Sequence, residues 1–124
     1  MLTAHKTEYK RYELWFASLS NSSSGSVQRG KRPVLILQNN MGNRYSPTVQ
    51  VATITKARKK DMPTHVNLNA TECGLRDNSV VLFETMTTIE KDQLLWRIGE
   101  VPANYIPQLD RAGKIQLGYL STWD

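Results

Sequence analysis

Residues 33–55, PVLILQNNMGNRYSPTVQVATIT, decide the fold. Pro33 to Gln38 is a short apolar run bounded by turn residues, which reads as a buried strand. Asn39 to Pro47 is turn chemistry, rich in Asn, Gly, Ser and Pro. Val49 to Thr55 returns as a second strand, and its alternation places Val49, Val51, Thr53 and Thr55 on one face. Upstream, Tyr12 to Leu19 (YELWFASL) has the aromatic and aliphatic content of a first strand. Between the first two strands lies Ser20 to Lys31 (SNSSSGSVQRGK), too polar to pack and basic at its end, which reads as a long mobile loop. Such loops in compact domains are often functional. Downstream come a basic loop, Lys56 to Asp61, and short strands at Val66–Leu68, Ser79–Glu84 and Trp96–Val101. Ile89 to Leu94 reads as one helical turn. The tail from Ala103 to Leu120 spaces Ile106, Leu109, Ala112, Ile115 and Leu120 as an amphipathic helix does, although Pro107, Gly113 and Gly118 weaken it. The expectation is a mainly β domain: a small twisted barrel over residues 12–124 with a C-terminal helix beside it, preceded by a flexible extension, residues 1–11.

A chain of 124 residues accommodates one such domain. Cys73 is its only cysteine, so no intrachain disulfide forms, and Met1 to Arg11 lacks the apolar stretch of a signal peptide. With no apolar run of membrane-spanning length, the expected location is the cytoplasm. The net charge of +5 favours a polyanionic partner without choosing among RNA, DNA and an acidic protein tail.

The chemistry on offer is limited. There is no Cys/His cluster with zinc spacing, no glycine-rich phosphate loop and no serine-nucleophile elbow. What remains is arginine, hydroxyl and carboxylate. That set suits one reaction, because RNA carries its own nucleophile in the 2′-hydroxyl. A protein need only align that group, help it lose a proton and hold the charge on phosphorus, which an arginine fork does without a metal or cofactor. Arg32 stands where the basic loop meets a rigid strand, and Thr55 ends its own strand. From position alone, the better readings are a solvated arginine at a strand start and a threonine placed by β-propensity. Glu84, ending VVLFE, alternates with Val80 and Leu82 on a face where an acid needs a partner, possibly an arginine. His65 follows Met-Pro-Thr as either a surface histidine or a base.

Taken together, GSVQRGKRPVLILQNNMGNRYSPTVQVATIT (25–55), MPTHVNL (62–68) and RDNSVVLFETMTTIEKDQL (76–94) closely resemble the MazF/PemK family of type II toxin-antitoxin endoribonucleases. The resemblance implies an SH3-like barrel of the MazF/PemK/CcdB type, a homodimer, sequence-specific cleavage of single-stranded mRNA and a cognate MazE-like antitoxin. It places the family's essential arginine on Arg32 and its essential threonine on Thr55. The family acid, a base in some members and a binding residue in others, falls on Glu84. RNA contacts are implied at Ser26, Gln28 and Arg29, at Asn43 and Arg44, and at Met62, Thr64 and His65. The chain departs from the pattern at Val27, where relatives carry an acid, and at Thr85 and Thr87, where they often carry glutamine and arginine. Tyr12-Glu13 replaces the usual Gly-Asp. Two other readings fit the same fold: a toxin that binds DNA gyrase, and an inactive binding module.

Overall fold

A computed structural model describes residues 7–19, 30–57 and 61–122. Six strands form one antiparallel sheet in the order β4-β5-β3-β2-β1-β6. They are β1 (Glu13–Leu19), β2 (Gly30–Ile36), β3 (Thr48–Lys56), β4 (His65–Leu68), β5 (Ser79–Glu90) and β6 (Leu94–Glu100). Three helices accompany them: α1 (Asn40–Tyr45), α2 (Ala70–Cys73) and α3 (Ile106–Gln116). The mainly β expectation holds.

Apolar packing on β3 is not confined to one face. Ala52 and Ile54 are as buried as Val49 and Val51, because the sheet packs apolar side chains on both faces. One cluster joins Leu14, Leu35, Ala52, Ile54, Val81 and Phe83 to Leu109 and Ala112 of α3. The other joins Trp15, Ala17, Val34, Ile36, Val49 and Val51 to Ile89 and Leu94. A sheet covered on both sides gives continuous apolar runs rather than alternation. The two end strands approach each other through the segment after β4. A Cβ on Gly99 of β6 would lie 3.3 Å from the Cys73 carbonyl, and one on Gly74 would lie 3.4 Å from the Ile98 carbonyl. Glycine at both positions lets the sheet curl this far around its core.

The polar connection between β2 and β3 holds a helix that turn composition hides. Asn39 caps α1, its side-chain oxygen accepting from the Gly42 amide at 2.8 Å. Asn43, 2% exposed, donates to the Gln38 carbonyl at 2.9 Å and accepts from the Gln38 side chain. β5 runs six residues beyond the expected end at Glu84, to Glu90. The helical turn expected at Ile89–Leu94 contracts to a single 3-10 turn at Lys91–Gln93, where the Gln93 side chain accepts from the Glu90 amide at 2.8 Å. The C-terminal helix stops at Gln116 rather than Leu120, because Gly118 turns left-handed (φ 84°). Of the N-terminal extension, Tyr9 packs its ring 4.9 Å from that of Trp15, and the Arg11 amide donates to Asn40 at 2.7 Å.

Tyr12, where relatives place glycine, has a φ of 68°. A left-handed conformation costs a non-glycine residue roughly 1–2 kcal/mol. The neighbourhood holds it in place: the phenol donates to Asp110 of α3 at 2.5 Å, and the Arg11 guanidinium lies 4.0 Å from the ring centre.

Candidate active site

Arg32 lies near the start of β2 and Thr55 near the end of β3. β2 and β3 pair with Val34 opposite Thr53. Arg32 and Thr55 each lie two residues beyond that pair, at the same end of the two strands. Both line a cavity of about 420 Å³. Lys31 and Lys56 flank them, and Arg76, Asp77 and Ser79 form the wall beyond α2. Four cations against one carboxylate make this a place for an anion, and its apolar wall of Phe16, Pro33 and Leu75 admits more than a bare phosphate. Arg76 and Asp77 carry no sequence signal that singles them out. Only the fold of the α2–β5 turn brings them here.

The second cluster stands further along the sheet. Met62 to His65 closes as a turn, the His65 amide donating to the Met62 carbonyl at 2.9 Å. The turn aims Thr64 and His65 at Glu84. Glu84 accepts from the Thr64 hydroxyl at 3.0 Å and from His65 Nε2 at 2.6 Å. So the acid's partner is a histidine, not an arginine. Burial pushes the Glu84 carboxyl up, but the hydrogen bonds from His65 and Thr64 outweigh it and hold it below the ordinary glutamate range. An ionised carboxylate can only accept, so His65 Nε2 carries the shared hydrogen. The His65 side chain is 6% exposed, and its Nδ1 has no hydrogen-bond partner among the described residues.

A wide bulge in β5 turns Glu84 toward this cluster. Val51 faces Thr87, but Thr53, two residues on, faces Leu82. Four residues, Phe83 to Met86, therefore stand against Ala52 alone. Thr85 stitches the gap: its hydroxyl lies 2.5 Å from that of Thr53 and donates to the Leu82 carbonyl at 2.8 Å. One of the departures from the family pattern thus has a structural task.

The remaining expected contacts among the described residues do not converge. Asn43 is buried and committed to Gln38. Arg44 is exposed over the Tyr45 ring, and Asn43 and Arg44 line a different cavity with Tyr9, Lys10 and Lys91. Met62 is 45% exposed beside the His65 turn. Ser26, Gln28 and Arg29, with Val27 and the basic residues Arg58, Lys59 and Lys60, lie outside the described residues.

The family of PemK-like, MazF-like toxins of type II toxin-antitoxin systems matches residues 10–117, spanning every strand and helix of the fold. The chain belongs to the PemK/MazF toxin family. This PemK/MazF toxin is 41% identical over 112 residues to the endoribonuclease EndoA of Bacillus subtilis (strain 168), covering 90% of the chain and 96% of EndoA. A solved endoribonuclease in complex with its cognate antitoxin, from a mycobacterial species, superposes with a TM-score of 0.73 at 25% identity, covering 91% of this chain and 98% of that one. MazF of Deinococcus radiodurans, 21% identical, superposes with a TM-score of 0.76 over 91% of this chain and 99% of its own and shares the fold. None of the described helices of the toxin is long and apolar enough to cross a membrane.

Proposed function

We propose that this toxin cuts single-stranded RNA in the cavity shared by Arg32 and Thr55, and that the RNA supplies the nucleophile. It is an endoribonuclease toxin by its family and by its likeness to EndoA. The observation that carries the mechanism is the shared cavity, whose wall holds both the Arg32 guanidinium and the Thr55 hydroxyl. Arg32 neutralises the non-bridging phosphate oxygens as charge builds on phosphorus, and Thr55 positions the same phosphate. The 2′-hydroxyl loses its proton, its oxygen bonds to phosphorus, and the bond from phosphorus to the 5′ oxygen breaks. That oxygen leaves with a proton. The products are a 2′,3′-cyclic phosphate and a 5′-hydroxyl, and no metal is needed to make them.

Glu84 fits a binding role better than that of the base. Glu84 is not among the residues that line the cavity holding Arg32 and Thr55. A base must come within about 3 Å of the proton it takes. The carboxylate is also held ionised and acidic, which makes it a weak base. The Thr64–His65–Glu84 cluster therefore meets a neighbouring nucleotide.

The toxin acts as a homodimer in the cytoplasm, and a cognate antitoxin fills the basic groove in competition with RNA. The solved mycobacterial relative held by its antitoxin supports that partner. Arg32→Ala and Thr55→Ala should each lose cleavage by about 100- to 1,000-fold, the cost of one oxyanion-type donor, while circular dichroism shows the native fold. Arg32→Lys should fail as well, since an ammonium cannot make the bidentate fork. Wild-type cleavage by either alanine variant would refute the assignment. So would gyrase binding without RNA cleavage by the wild-type toxin.

A further inference from the structure

Phe16 and Trp96 do not enter the chemistry above, yet they stand beside it. Phe16 of β1 lies across from Pro33 of β2 on one side and from Trp96 of β6 on the other. Opposed residues share a face, so Pro33, Phe16 and Trp96 form one strip across three strands. Phe16 and Pro33 are walls of the cavity that holds Arg32 and Thr55. The Phe16 and Trp96 rings are stacked, with centroids 4.5 Å apart and planes 13° from parallel. Trp96 is 55% exposed, on an end strand of the sheet. The strip is thus apolar and partly open, and it adjoins the wall that carries Lys31, Arg32, Lys56 and Arg76. Asp77 is the one carboxylate on that wall.

We propose that the Phe16–Trp96 pair is a stacking platform for one unpaired base of the RNA, next to the phosphate held at Arg32 and Thr55. The inference rests on the nuclease reading of that cavity. Single-stranded RNA offers a flat apolar base beside an anionic phosphate, and this site offers aromatic rings beside guanidinium and ammonium groups. Stacking on aromatic side chains is the commonest way proteins grip an unstacked base. A preassembled ring pair loses little conformational freedom on binding. The nearest phosphate contact is close: Phe16 faces Pro33, the residue after Arg32, one strand spacing of ~4.8 Å away. An acidic peptide has no flat base to stack, so the platform favours RNA over that occupant.

The test uses an RNA oligonucleotide made uncleavable by 2′-deoxyribose at the cut, prepared whole and as a series in which one base at a time is removed. The wild-type toxin should lose about 5- to 150-fold in affinity for one abasic position near the cut. Trp96→Ala should lose a similar factor on the whole oligonucleotide and then be insensitive to removal of that same base. Trp96→Phe should bind nearly as the wild type does. Equal losses at every abasic position in wild type and Trp96→Ala, or wild-type affinity in Trp96→Ala, would overturn the platform. Because the wild-type arm needs no variant, misfolding of Trp96→Ala cannot hide the answer: no single sensitive position in the wild type also refutes it. Cleavage of the all-ribose oligonucleotide by the wild type is scored separately. A toxin that shows the coupled loss but cuts nothing keeps the platform and loses the nuclease reading. One that cuts but shows no coupling keeps the nuclease and loses the platform.

Discussion

Glu84 shows how much a single residue's role depends on its neighbours. In the sequence it is an acid closing an apolar run, and pairing is all that can be inferred. In the fold it is bound by Thr64 and His65, turned there by a bulge that Thr85 closes. Those partners keep it ionised, so its chemistry is that of an acceptor. Glu84→Gln should raise KM while leaving kcat nearly unchanged, the signature of lost uniform binding. Were Glu84 the general base, kcat would fall by about 100- to 10,000-fold. Steady-state kinetics on one oligonucleotide separates the two. Arg32 and Thr55 were legible in the sequence as a pair of chemical types. Their meeting in one cavity was not, since it depends on how the strands align. The partner of Glu84 was not legible at all, because four residues of β5 stand against one of β3 and no spacing rule foresees that.

At the scale of elements, the start of β1 is fixed by a carboxylate. Glu13 is 4% exposed and accepts from the Trp15 indole at 3.0 Å, from Arg97 of β6 at 2.8 Å and from the Lys10 amide at 3.0 Å. Burial raises its carboxyl, but those three donors more than offset it and hold the group below the usual glutamate range. A carboxyl depressed in the fold contributes stability that is complete above the unfolded glutamate value, about 4.3, and is lost as pH falls through the folded value. Thermal melts from pH 7 to pH 3 should show that loss. Glu13→Gln should be less stable at pH 7 by about 1–2 kcal/mol, toward the low side because Arg97 is half exposed, and its stability should fall less on acidification. Parallel pH profiles for the two proteins would show that Glu13 does not tie β1 to β6. The strands themselves were readable from apolar runs. The short helix α1 was not, because Asn39, Asn40 and Gly42 serve a cap as well as a turn.

For the whole molecule, fold class followed from composition and pattern, while the two-sided packing of the sheet became visible only in three dimensions. The proposed homodimer rests on the family resemblance, and the apolar side chains exposed at the end of α3, Leu117 at 61% and Tyr119 at 81%, are in keeping with it. A face of this kind on a small domain calls for a partner, and a second copy covers it symmetrically. Sedimentation at micromolar concentration should give the mass of a dimer, and a monomer would contradict that. In the proposed mechanism, RNA is cut by its own 2′-hydroxyl at the Arg32–Thr55 pair. Its most direct test is to incubate the toxin with single-stranded RNA in excess EDTA and determine the chemistry of the new ends. The account predicts undiminished cleavage leaving 2′,3′-cyclic phosphate and 5′-hydroxyl termini, with none on a strand carrying 2′-deoxyribose at the cut. Complete inhibition by EDTA, or cleavage of the deoxy-substituted strand, would contradict it.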